Sequence, residues 1–136
     1  LDVIAAGARL REQCAQLRAA GVRVALFIAA DHAQIEATAA CGAPVIELHT
    51  GTYADASGGA QAQELERLRS AARHAQRLGL EVHAGHGLNT RNVQPVAAIG
   101  EIVELNIGHS IIAQAVFDGL PAAVREIKRL MLEARP

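Results

Sequence analysis

The sequence predicts an α/β fold made of four consecutive βα units whose strands pair in parallel. Three observations predict it. Short apolar runs bounded by breakers recur at 22–29, 43–49, 80–84 and 101–107, the pattern of buried strands. Segments with apolar residues at helical spacing alternate with those runs. Finally, 51% of the chain is apolar while its aromatics are only Phe27, Phe117 and Tyr53, so the core must be built from Ala, Val, Ile and Leu.

Each element has a local reason. Residues 4–20 carry Ile4, Ala8, Leu10, Cys14 and Leu17 at helical spacing, and Gly21 stops that helix. The run at 22–29 follows as the first strand. Asp31 is placed to cap a second helix that runs to about Cys41 and ends at Gly42. The second strand, 43–49, leads into a loop containing Tyr53, Asp55, Ser57, Gly58 and Gly59. A long helix over 61–78 aligns Leu65, Leu68, Ala72, Ala75 and Leu78, and Gly79 stops it. The third strand is 80–84, followed by a short helix over 90–98 with Pro95 in its first turns. The fourth strand, 101–107, precedes helices over 109–117 and 121–135, the latter opening on Pro121, whose missing N–H costs little there. Val24, Val45, Val82 and Val103 read as equivalent positions of the four strands.

Four such units are half of a TIM (β/α)8 barrel; a small doubly wound sheet is the alternative. The strand faces favour the barrel. Val45, Glu47 and His49 share one face by the two-residue period, as do Glu104 and Asn106. Acids turned toward covering helices would be buried without partners, which is costly, whereas acids turned toward a barrel mouth meet ligand and water. The expectation is a single domain over residues 1–136, the C-terminal half of a barrel. The chain starts at Leu1 without a methionine and Leu1-Asp2-Val3-Ile4 reads as the approach to a helix, so a fragment is expected.

Composition narrows the function. With 13 Lys and Arg against 14 Asp and Glu the net charge is −1, and no basic patch interleaves with aromatics, which argues against nucleic-acid binding. No apolar run reaches membrane-spanning length and no signal peptide is visible, so a cytoplasmic protein is expected. Cys14 and Cys41 lack metal-type spacing and read as buried, reduced thiols. The one lysine, Lys128, lies in the last helix, which excludes a Schiff-base lysine at a strand end. A phosphate-cradling G-x-x-x-x-G-K loop is also missing.

Chemistry is concentrated at three strand ends: Glu47-Leu48-His49-Thr50-Gly51, His83-Ala84-Gly85-His86-Gly87 and Glu104-Leu105-Asn106-Ile107-Gly108-His109-Ser110. Glu47 lies inside an apolar strand, where an acid rarely sits without a task; a desolvated glutamate acts as a base or stabilises a developing cation. A structural carboxylate bonded to a neighbouring strand is the alternative. His86 sits between Gly85 and Gly87, glycines that allow close approach by a ligand and unusual dihedrals, and it suits a general acid, against the alternative of a loop histidine bonded to backbone. Gly108 and His109 open a helix after the last strand, where unpaired N–H groups bind phosphate; a plain glycine turn is the alternative there. His83 and His86 lack the partners that would complete a metal site. His49 stays ambiguous, and His32 and His74 read as solvated helix residues.

These motifs, together with Phe27-Ile28, Tyr53-Ala54-Asp55 and the ending Lys128-Arg129-Leu130-Met131-Leu132-Glu133-Ala134-Arg135, resemble the pyridoxine 5′-phosphate synthase family. The resemblance runs along the whole chain and covers only the C-terminal part of that family. It implies a (β/α)8 barrel, a homo-octamer, and no metal or organic cofactor. The implied reaction condenses 1-deoxy-D-xylulose 5-phosphate with 3-amino-2-oxopropyl phosphate to give pyridoxine 5′-phosphate, phosphate and water. Carried over by position, Glu47 stabilises charged intermediates, His86 donates a proton, Gly87 contacts the deoxyxylulose phosphate, and Gly108 and His109 hold the phosphate of the amino ketone. The chain departs from the family at Ala29, where many members carry an acid, and at His83, where a smaller polar residue is common. The N-terminal half of the barrel would supply further catalytic residues. Two other readings stay open: an epimerase-like enzyme acting on a single phosphorylated sugar, and a non-catalytic phosphate-binding half-barrel.

Overall fold

The computed structural model describes residues 1–135. Strands β1 (Ala25–Ile28), β2 (Val45–His49), β3 (Glu81–Gly85) and β4 (Ile102–Asn106) form one parallel sheet in the order β1-β2-β3-β4. Helices α1 (Val3–Ala19), α2 (His32–Cys41), α3 (Gly51–Asp55), α4 (Gly58–Arg77), α5 (Val93–Ala97), α6 (His109–Asp118) and α7 (Leu120–Glu133) surround it. Local capping fits the sequence. Asp2 and Asp31 accept from Ala5 N and Gln34 N at 3.0 Å, and Gly42 closes α2 in the left-handed conformation.

Burial alternates along β1 and over residues 46–49 of β2, whereas β3 is buried from Val82 to Gly85. Leu26, Ile28, Ile46, Leu48, Val82 and Ala84 are buried with Ile35, Leu68, Ala71, Ala72, Ala75 and Val96 in one aliphatic core under the helices. The other face of the sheet is layered by register. Phe27 pairs with Glu47, Glu47 with His83, and His83 with Glu104; one step further along, His49 pairs with Gly85 and Gly85 with Asn106. The polar strand residues thus stand on the uncovered face, which avoids the penalty of unpaired burial. Cys14 and Cys41 are free and buried.

The structure corrects three expectations. The loop after β2 contains α3, a five-residue helix held by tertiary contacts: the Tyr53 hydroxyl donates to the Asn92 carbonyl at 2.8 Å. The four valines are not equivalent, because Val45 pairs with Ala25 and Glu81 while Val82 pairs with Ile46 and Ile102. A β-bulge between Val82 and His83 on the β3–β4 ladder leaves Val103 without a register partner and 62% exposed. His32 is exposed as expected, whereas His74, 17% exposed, stacks on it with ring centroids 4.3 Å apart and bonds Glu36 at 3.0 Å, so contact between α2 and α4 takes His74 partly out of solvent.

Candidate functional site

The carboxyl ends of β2, β3 and β4 open on a cleft of about 490 Å³. Its lining includes Glu47, His86, Gly87, Gly108 and His109, so all five residues singled out in the sequence reach one space, with Phe27 and Asn106 beside them. A larger cleft of about 740 Å³ lies between α6, α7 and residues 89–91, and none of the five lines it.

Glu47 is half-buried on the central strand β2. Desolvation pushes its carboxyl above the usual glutamate range, and Glu104 adds to the rise; the charge of His83 and a hydrogen bond from Asn106 oppose it. Its space depends on Gly85. A Cβ there would lie 2.6 Å from Glu47 Oε1 and 2.7 Å from the Asn106 carbonyl oxygen. Gly85→Ala is therefore expected to displace the Glu47 carboxylate or the β4 backbone in a crystal structure of the variant, while the far-ultraviolet circular dichroism stays unchanged. Unmoved Glu47 and Asn106 atoms in that variant would show that the cleft tolerates the added Cβ.

His86 departs from the sequence expectation in one respect. The unusual dihedral falls on the histidine itself, at φ 87°, and on Gly87, at φ 77°. A positive φ on a non-glycine residue is strained and persists only where its surroundings hold it. Here Thr50, fully buried, holds it: its hydroxyl lies 2.8 Å from the Gly85 carbonyl and 2.6 Å from that of His86, and its N–H donates to Gly85 at 2.8 Å. The Gly87 carbonyl accepts from Asn92 Nδ2 at 3.2 Å, while Asn92 Oδ1 takes the Asn89 N–H at 2.7 Å. Tyr53 anchors Asn92 in turn. Thr50, Tyr53 and Asn92 carry no sequence signal as site residues; their role exists only across elements that the fold brings together. At Gly87 a Cβ would also lie 2.6 Å from Ala54 Cβ.

Two further residues sit around this core. His83, 10% exposed, bonds Glu81 at 2.8 Å through Nε2 and approaches Glu104 at 3.3 Å through Nδ1, and Arg23 bridges Glu81 at 2.6 Å. The Glu81 carboxyl is held below its ordinary range, first by Arg23 and then by His83. His49 lies against His86.

Helix α6 begins at the far wall. Gly108 is its N-cap, no side chain caps it, and its first backbone bond there runs from Ile112 N to Gly108 O at 3.0 Å. The preceding N–H groups are the kind that favour an anion. Ser110 Oγ donates to the Leu88 carbonyl at 2.6 Å, tying the helix start to the loop that carries His86 and Gly87. Among the described residues, no group of three or more His, Cys, Asp or Glu side chains is arranged to hold a metal ion.

Parallel βα units with acid, imidazole and an uncapped helix start around one cleft at the strand carboxyl ends define an α/β protein with a parallel four-stranded sheet. The chain belongs to the family described as Pyridoxal phosphate biosynthesis protein PdxJ, whose model matches residues 1–133. It is 57% identical over 136 residues to the "Pyridoxine 5'-phosphate synthase" of Colwellia psychrerythraea (99% of this chain, 55% of the relative). It is 55% identical over 136 residues to the protein of the same name from Photobacterium profundum (99% and 56%). The chain thus spans about half the length of the curated relatives it matches. Among solved structures, a TIM-barrel-like neighbour is the Xylose isomerase domain protein from Planctomyces limnophilus, with TM-score 0.56 and 16% identity, covering 89% of this chain and 56% of that one. At that identity the likeness concerns the fold alone.

Proposed function

We propose that this chain forms the last four βα units of a (β/α)8 barrel and carries half of the active site of a pyridoxine 5′-phosphate synthase. The reaction joins 1-deoxy-D-xylulose 5-phosphate to 3-amino-2-oxopropyl phosphate and releases phosphate and water. The observation that carries this reading is the convergence of Glu47, His86, Gly87, Gly108 and His109 on one cleft, in a chain whose relatives bear that name.

The roles follow from the chemistry. The amine of one substrate condenses with the ketone of the other, so no enzyme lysine is required, in keeping with Lys128 lying on α7. Iminium-type intermediates carry positive charge, and the half-buried Glu47 carboxylate stabilises them in a site where water screens little. Carbonyl and hydroxyl oxygens that leave as water need a proton, which His86 donates. Gly87 contacts the deoxyxylulose phosphate. Gly108 and His109 hold the amino ketone's phosphate at the α6 N-terminus. No metal or organic cofactor takes part. The barrel is completed by an N-terminal half that supplies the remaining catalytic groups, the assembly is a homo-octamer, and the protein works in the cytoplasm. No helix among the described residues is long and apolar enough to cross a membrane.

The test is to incubate the completed barrel with both substrates in excess EDTA and follow pyridoxine 5′-phosphate by mass spectrometry. Product that requires both substrates and persists in the chelator is expected. Conversion of the deoxyxylulose phosphate without the amine would replace this reading with a single-substrate enzyme.

A further inference from the structure

We infer that His49 is a positioning residue for His86: its ring, fixed on the central strand β2, backs the loop-borne imidazole of His86 and holds its plane at the cleft. The inference deepens the functional reading above and rests on it for the role of His86.

Four observations carry it. The two imidazoles stack with centroids 4.7 Å apart and planes 27° from parallel. Phe27, on the neighbouring strand, packs against both, at 5.2 Å from His49 and 6.4 Å from His86, so His49 is held from the β1 side as well. The first residue of α3 is cut away to admit the rings: a Cβ on Gly51 would collide with His49 Cε1, and would lie 3.0 Å from His49 Nε2 and 3.1 Å from His86 Cδ2. Thr50, between His49 and Gly51, takes hold of the His86 carbonyl. Three consecutive residues thus address the same histidine. His49 supports its ring, Thr50 its peptide, and Gly51 leaves the room both rings need.

The division between strand and loop gives the arrangement its direction. His49 pairs in register with Gly85 inside the sheet, so its backbone is rigid. His86 follows the end of β3 at a strained φ and needs an external surface to define its ring orientation. Electrostatics agree with a supporting role. Burial holds His49 below the ordinary imidazole range; the charges of His86 and Arg67 push the same way, and Asp55 opposes them. The ring therefore faces His86 as a neutral surface at neutral pH.

The test uses the completed barrel with labelled histidines and compares His49→Ala with His49→Phe, which keeps a flat ring and removes both nitrogens. His49→Ala is expected to lower kcat about tenfold or more while KM for each substrate stays within about twofold, since a misplaced acid costs the chemical step rather than binding. His49→Phe is expected to keep more than half of wild-type kcat. The His86 ring resonances should lose their ring-current shift in His49→Ala and keep one in His49→Phe. If His49→Ala does not fold, by circular dichroism, His49→Leu replaces it. Wild-type kcat with unmoved His86 resonances in the ringless variant overturns the inference. So does a His49→Phe enzyme as slow as His49→Ala, which would make His49 a proton carrier. Should the wild-type barrel turn over neither substrate, the functional reading fails alone, and the His86 resonances still decide the positioning role.

Discussion

Replacing Glu47 by Gln in the completed barrel is expected to lower kcat about 10²–10⁴-fold, the range for a positioned charged or proton-transferring group, while making the fold more stable. Both effects come from one cause. Desolvation raises the Glu47 pKa in the folded state, so folding favours the protonated form. The unfolded chain then binds fewer protons between its own carboxyl pKa and the raised folded value, and stability falls as pH climbs through that window. Above it the protein holds an ionised carboxylate that the fold disfavours. Glutamine removes that cost, and the melting temperature at pH 7 should rise by roughly a few degrees. In the proposed mechanism the rate depends on the ionised form, so activity should be lost as pH falls through a value above the ordinary glutamate range, and that acid limb should vanish in Glu47→Gln. Calorimetry and a pH–rate profile check the pair of outcomes. Unchanged turnover in the variant would remove Glu47 from the mechanism.

The second large effect concerns residues 1–136 expressed by themselves, for which no turnover and self-association on size-exclusion chromatography are expected. Strands β1 and β4 are the outer strands of the sheet, and each presents unpaired backbone groups. Helix α6 contributes no buried residue, and Ile112, Val116 and Phe117 stand 59%, 78% and 84% exposed, with Leu120 and Val124 close behind on α7. Apolar surface of that kind drives association unless something covers it. Co-expression with the N-terminal half should restore a discrete species and product formation. Turnover from a preparation whose intact mass corresponds to 136 residues alone would overturn the half-barrel reading.

The order of elements was legible because each boundary has a local chemical mark. Gly21, Gly42 and Gly79 stop helices, Asp31 caps one, and aliphatic runs mark the strands. The convergence of Glu47, His86 and Gly108 was legible too, since parallel βα units bring strand ends to one side and the two-residue period sets their face. What stayed hidden depends on partners distant in sequence. Helix α3 has five residues, below the length at which periodicity speaks, and is secured through Tyr53 to a carbonyl 39 residues away. Thr50 looks like an ordinary strand-end threonine until Gly85 and His86 arrive beside it. Unusual dihedrals were expected of the glycines flanking His86, yet a positive φ falls on the histidine as well as on Gly87, because the Thr50 contacts fix the peptide there.

The bulge in β4 has a consequence for parity. Counting in twos from Ile102, which pairs with Val82 on the helix-covered face, an unbroken ladder would turn Glu104 and Asn106 to that same face and send Val103 and Leu105 into the cleft. The unpaired residue at position 103 adds half a period, so Glu104 meets His83 and Asn106 meets Gly85. A single surplus valine near the start of β4 thus decides which side of the sheet the last polar pair serves. A change in chain length anywhere between 103 and 106 would have to be absorbed at this point to leave the Glu47–Asn106 contact in place.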